Sequence, residues 1–239
     1  MVRSARAVDE KLLGVCRRLV RSGILGRAYL GGGTGLALQI NHRVSLDLAF
    51  FLFKGEVLDP ERLLRGVEAT FGTAAVALDF RSGDQLDLVV DGIKVSFSAY
   101  PFAPIEPLVA GDQVGLPGLL LASLPEIALM KAYAIGRRAV FRDYIDMYIL
   151  LKAGYVSLHY IHEMAARKFV LQGEPIFSMR LFLQQLAYTA DTGSREEKES
   201  AVSMLMATGP TPEAIENYLA TVVGEFIGRL SRDMEGTRP

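Results

Sequence analysis

The chain has 239 residues, 50% of them hydrophobic and 22% charged, which excludes a disordered polymer and leaves room for one domain or two small lobes. Its 26 basic and 27 acidic residues give a net charge of -1, which speaks against bulk binding of nucleic acid or anionic membrane but not against a local basic site. The single cysteine, Cys16, excludes an intramolecular disulfide framework and a cysteine-cluster metal site, and no uncharged apolar run nears the roughly 20 residues that span a bilayer. A cytoplasmic, membrane-free protein is expected.

Residues 8–22 place Val8, Leu12, Leu13, Val15, Cys16, Leu19 and Val20 at helical spacing, and Gly23 is the expected stop. A short strand then runs from Arg27 into Gly31-Gly-Gly-Thr34-Gly35, with a short helix predicted over 35–40. Residues 44–53 read as a buried strand. Residues 60–71 read as a helix with Asp59 as N-cap and Pro60 at its first position. QLDLVV and IKVSFSA flank Asp91-Gly92, the chemistry of a two-residue type I′ hairpin. Pro101, Pro104, Pro107 and Pro117 make 101–118 an extended connector. Ser123-Leu-Pro-Glu126 has the form of a capping box. Helices are predicted over 124–135, 141–153, 157–169, 178–188, 195–207 and 212–231, the last opened by Thr211-Pro212. Strands before residue 100 and helices after 123 define an α+β chain, with a sheet-containing lobe over 1–118 and a helical lobe over 119–239.

Three clusters can carry chemistry. The Gly31–Gly35 turn lets backbone N–H groups approach an anion, and the helix that follows adds positive potential; the plain alternative is a tight strand-to-helix turn. Asp47 interrupts an apolar run, so a buried carboxylate there needs a cation, a metal, several donors, or Arg43. Its partner on the same strand face is position 49, where a second carboxylate would suit a divalent ion; this chain has Ala49. The third cluster holds four basic residues, Lys131, Arg137, Arg138 and Arg142, followed by Asp143 and Asp146. In one continuous helix Lys131, Arg138, Arg142 and Asp146 would share a face, but Gly136 favours two helices. A solvated face with an Arg142–Asp146 pair competes here with a phosphate-contact surface. His159 and His162 lie three apart, but no motif supplies further zinc ligands in order.

Together these segments resemble the AbiEii/AbiGii nucleotidyltransferase toxin family of abortive-infection and toxin–antitoxin systems. The resemblance rests on Tyr29-Leu-Gly-Gly-Gly-Thr-Gly-Leu-Ala-Leu38 and His42-Arg43-x-Ser45-x-Asp47-x-x-Phe50-Phe51. It continues through Val95-Ser-Phe-Ser-Ala-Tyr-Pro101, Leu124-Pro-Glu-Ile-Ala-Leu-Met-Lys131 and Arg142-Asp143-x-x-Asp146, and it covers roughly residues 25–190. It implies a polymerase-β-like nucleotidyltransferase lobe with a mixed sheet and a C-terminal helical lobe. By resemblance, Gly32, Gly33, Thr34 and Ser45 meet the nucleotide, and Asp47 is a catalytic metal ligand. Lys131, Arg138 and Arg142 contact nucleotide or acceptor phosphate, while Asp143 and Asp146 organise that site. Asp87 is the candidate third carboxylate. The resemblance further implies magnesium, an NTP, a tRNA-like RNA acceptor and a winged-helix antitoxin. The family reads Asp-x-Asp where this chain has Asp47-Leu-Ala49. Loss of one acid weakens metal binding and leaves a second reading open: a degenerate homologue that binds nucleotide or protein without turnover.

Overall fold

The structure is a computed structural model, and it describes residues 7–207 and 209–236. The chain divides into two compact units, residues 1–127 and 128–239.

In the first unit α1 (Glu10–Arg21) opens on Asp9, whose carboxylate accepts from the Leu12 N–H. Next come β1 (Ala28–Leu30), α2 (Gly32–Ile40), β2 (Asp47–Leu52), α3 (Pro60–Phe71), β3 (Val76–Arg81), β4 (Gln85–Val90) and β5 (Ile93–Ala99). Two short strands, β6 (Val109–Ala110) and β7 (Leu120–Leu121), flank a 3-10 turn at Gly111–Val114 and lead into α4 (Leu124–Ile135). The strands form one sheet in the order β3-β4-β5-β2-β1-β7-β6. β3, β4 and β5 are an antiparallel meander, β2 runs parallel to β5, and β1 runs antiparallel to β2 and parallel to β7. The Asp91-Gly92 turn has φ of 49° and 76°, the doubly positive pair a type I′ turn requires.

Alternation along the strands gives this sheet two different faces. Leu48, Phe50, Leu86, Leu88, Val95 and Phe97 are buried. On that apolar side, Leu63 and Gly66 of α3 share a cleft with Phe97. The other face carries Asp47, Ala49, Lys94, Ser96, Ser98, Gln85 and Asp87, all exposed or half-buried.

The second unit is helical: α5 (Phe141–Lys152), α6 (Leu158–Lys168), α7 (Met179–Ala187), α8 (Arg195–Ser203) and α9 (Pro212–Gly236). A small hairpin, β8 (Val170–Leu171) with β9 (Glu174–Pro175), joins α6 to α7. Ser157, Ser178 and Ser194 cap α6, α7 and α8, and Thr211 accepts from the Ala214 N–H at the start of α9.

Three expectations need correction. The 101–118 connector contains β6 and a 3-10 turn. The glycine turn is itself the first turn of α2, because Gly32 takes φ of 62° and the helix starts there. The capping box at Ser123 does not form: Ser123 Oγ is buried without a partner. The Glu126 carboxylate instead accepts from the Ile105 and Glu106 N–H groups at 3.2 and 3.3 Å, tying down the proline-rich loop. The break that Gly136 favours is observed: α4 and α5 are separate helices, parted at residues 136–140, so Lys131 and Arg142 do not share one helical face.

Candidate functional site

In the first unit the site is built on the junction of α2 with β2. Gly31 leaves β1 and donates to the Ala49 carbonyl at 2.9 Å, so the turn starts hydrogen-bonded to β2. No side chain caps α2. The first-turn N–H groups at Gly32, Gly33 and Thr34 therefore have no side-chain cap, and donors of this kind are suited to an anion. Gly32 takes φ of 62°, a left-handed conformation that favours glycine, while Gly33 has a steric reason. A Cβ on Gly32 would stand 3.4 Å from the Ala49 Cβ, and one on Gly33 would stand 2.5 Å from Arg43 Nη2 and 3.3 Å from Ser45 Oγ. The turn thus lies closely under β2 and the segment before it, with the buried Arg43 guanidinium beside the helix N-terminus.

Thr34 is buried, and its hydroxyl donates to the Asp47 carbonyl while lying 2.8 Å from Ser45 Oγ. It fastens the turn to the strand. Ser45, also buried, is 3.4 Å from Asp47 Oδ1. Asp47 is not the buried carboxylate that its apolar neighbours suggest. It is exposed at the first residue of β2, because burial alternates along the strand: Leu48 and Phe50 are buried on one face, while Ala49, on the face of Asp47, is half-buried. Arg43 packs on Gly33 and donates to the Val44 carbonyl at 3.1 Å.

Asp87 lies on the same polar face. Ser96 pairs with Ala49 on one side and with Asp87 on the other, so Ala49, Ser96 and Asp87 form one transverse row. At about 4.8 Å per strand, Asp87 is roughly 10 Å from Ala49. Asp47 is a further two residues along β2. The two carboxylates are too far apart to share one ion. Asp87 Oδ2 accepts from Gln85 Nε2 at 2.7 Å, and its buried Oδ1 has no partner. Among the described residues no three His, Cys, Asp or Glu side chains are grouped to hold a metal ion.

In the second unit the charged cluster is a buried network. Lys131 Nζ lies 2.6 Å from Asp143 Oδ1 and 2.6 Å from Asp146 Oδ2. All three side chains are 7% exposed or less. Arg138, from the link between α4 and α5, reaches Asp143 through Nε at 2.8 Å while remaining 60% exposed. Burial pushes the Asp143 carboxyl upward, but Lys131 and Arg138 outweigh it and hold the group below the usual carboxylate range. The reading of this segment as a solvated face fails at Lys131: α5 buries most of its circumference, so its acids need internal cations. Arg142 is exposed on α5. His159 pairs with Glu163 at 3.3 Å, and the His162 ring packs on Phe226.

Arg43 was missed as a feature of the turn, although its place two residues before Ser45 signals it. A mixed sheet with an uncapped glycine helix start under an acid-bearing strand defines a nucleotidyltransferase-type lobe. The chain belongs to the family described as nucleotidyl transferase AbiEii toxin, type IV TA system, which it matches over residues 15–221. It is 27% identical over 210 residues to a protein of Aquifex aeolicus (strain VF5) known only as uncharacterized, covering 88% of this chain and 93% of the relative. Two solved structures share the fold. One, from H. pylori, is described as a presumed nucleotidyltransferase: TM-score 0.54, 16% identity, 94% of this chain and 98% of that one. The other is JHP933 from Helicobacter pylori: TM-score 0.51, 15% identity, 96% and 98%. No described helix is long and apolar enough to cross a membrane.

Proposed function

We propose that this protein binds the phosphates of an NTP at the N-terminus of α2 and transfers a nucleotidyl group to an RNA acceptor of tRNA type. The observation that carries the reading is the uncapped first turn at Gly32–Thr34, held against β2 on the polar face. Backbone N–H groups of Gly32 and Gly33 bind phosphate oxygens, with Arg43 adding positive charge beside them. Thr34 and Ser45 keep the turn and Asp47 in register. Magnesium typically takes one or two carboxylates together with substrate phosphates. Asp47 fits one such ion, and the residues present do not fit a two-ion centre. When bound, the ion would neutralise charge on the phosphates. Lys131, Asp143 and Asp146 form the internal support of the second unit, and Arg138 and Arg142 are its exposed cations for RNA acceptor phosphate. As a member of a toxin–antitoxin family, the chain has an antitoxin as its expected partner.

Ala49 favours a second reading, in which nucleotide is bound without turnover. Incubation with magnesium, each labelled NTP and total tRNA separates the two. Label carried into RNA supports transfer. Saturable NTP binding without label in RNA supports the second reading, and no NTP binding refutes both.

A further inference from the structure

β3 carries a feature that the nucleotide turn leaves unused. Along a regular strand residues 76, 78 and 80 would share one face. Val76 and Leu78 do so, opposite Val90 and Leu88 of the apolar face. The register then shifts: Phe80 pairs with Asp87 and Arg81 with Leu86, leaving Asp79 as the extra residue of a β-bulge. The bulge turns Phe80 onto the polar face and Arg81 onto the opposite one, where it reaches Glu61 of α3 at 3.8 Å. Bulges at sheet edges re-aim side chains in this way, and they recur beside functional sites. On this edge strand Phe80 is 50% exposed on the polar face, as Leu78 is 49% exposed on the other.

Its position gives the exposed ring a use. Pairing places Phe80, Asp87, Ser96 and Ala49 in one row across four strands. At about 4.8 Å per strand, Phe80 stands roughly 14 Å from Ala49, on the side away from the glycine turn. In phosphoryl transfer the attacking and leaving oxygens lie roughly in line. With the pyrophosphate held at the glycine turn, the acceptor hydroxyl approaches from the β4 and β3 side of the row. We propose that Phe80 is the stacking platform for the terminal base of a single-stranded RNA acceptor. The proposal rests on the transferase reading and adds where the acceptor end docks. Because every base has a π face, such a platform tolerates any terminal base.

The chain has no tryptophan, so Phe80→Trp introduces a single emission probe at the proposed contact. The ligand is a short single-stranded RNA with a free 3′ end. Its addition should quench the Phe80→Trp emission, and NTP alone should not. Phe80→Ala should lose about fivefold or more in RNA affinity by anisotropy, the low end for one stacked base, with NTP affinity and the melting curve nearly unchanged. Phe80→Trp should retain affinity. Wild-type RNA affinity in Phe80→Ala, or unaltered emission while RNA binds, overturns the platform and leaves the transferase reading standing. Quenching by NTP alone reassigns the ring to the nucleotide base and overturns the proposal. Failure of the wild-type chain to bind RNA removes the acceptor reading and the platform together.

Discussion

Replacing Lys131 by Met tests the central statement about the second unit. Met keeps most of the length and packing of the lysine stem and removes only the ammonium. Asp143 keeps Arg138, but Arg138 is largely solvated and compensates less. Asp146, fully buried, loses a contact of 2.6 Å. Removing one partner of a buried ion pair typically costs about 3–5 kcal/mol, because the remaining charge stays desolvated. With Arg138 retained, about 3 kcal/mol is expected, a large share of the roughly 5–15 kcal/mol that holds a domain together. At a urea m-value of about 1–3 kcal/mol/M, the midpoint should fall by about 1–3 M. The double variant Lys131→Met/Asp146→Leu should recover part of the loss, since it also removes a buried carboxylate that has lost its lysine contact. Acid supplies an independent check on the same network. The folded carboxyl of Asp143 titrates below its unfolded value. Its contribution is therefore present above the ordinary carboxylate range and lost as pH falls through the lowered value. The gap between wild type and Lys131→Met should shrink below about pH 4. A change under about 1 kcal/mol at pH 7, or a gap that widens in acid, would refute the buried-network account.

Gly33→Ala should weaken NTP binding by about tenfold, because its Cβ meets the Arg43 guanidinium at 2.5 Å and displaces either the cation or the turn; titration calorimetry with NTP reads the loss. Unchanged affinity in a folded variant would take the turn out of the binding site. Ala49→Asp should raise magnesium-dependent NTP binding, measured by the same titration at fixed magnesium. Flat affinity there would show that position 49 is remote from the phosphates.

The local rules reached furthest where chemistry acts within a few residues. Asp59-Pro60, Asp91-Gly92 and Thr211-Pro212 each fold as their side chains and φ preferences require. Ser123–Glu126 misled because the same letters served a tertiary need: the Glu126 carboxylate satisfies two loop N–H groups. β3 escaped notice because its bulge at Asp79 breaks the period of two by which strands are recognised. Asp47 and Lys131 exchanged environments relative to expectation. A run of apolar letters around Asp47 does not state that one face of the strand is polar, and the basic letters after Lys131 do not state that α5 buries two acids beneath it. Burial of a charge is set by what packs on it from distant sequence. The glycine turn, Asp47, Ala49 and Asp87 were legible as a set, while their arrangement in rows across β4, β5 and β2 required the register.

Position 49 acts with opposite sign on two steps, which makes Ala49→Asp informative beyond its affinity change. Its side chain faces the start of α2, where an added Cβ on Gly32 would lie at 3.4 Å. A carboxylate there would sit beside the uncapped N–H groups and compete with phosphate for them. Without a divalent ion, the added charge would also repel the triphosphate, by about 1 kcal/mol or more at contact distances near a surface. With magnesium present, the same carboxylate becomes a second ligand between Asp47 and Asp87. Ala49→Asp should therefore weaken NTP binding in EDTA and strengthen it in magnesium, with the two titration curves crossing as the ion is added. The native chain, lacking that charge, should show the smaller dependence on magnesium. Curves that shift in the same direction under both conditions would mean that position 49 alters the fold of the turn and not its electrostatics.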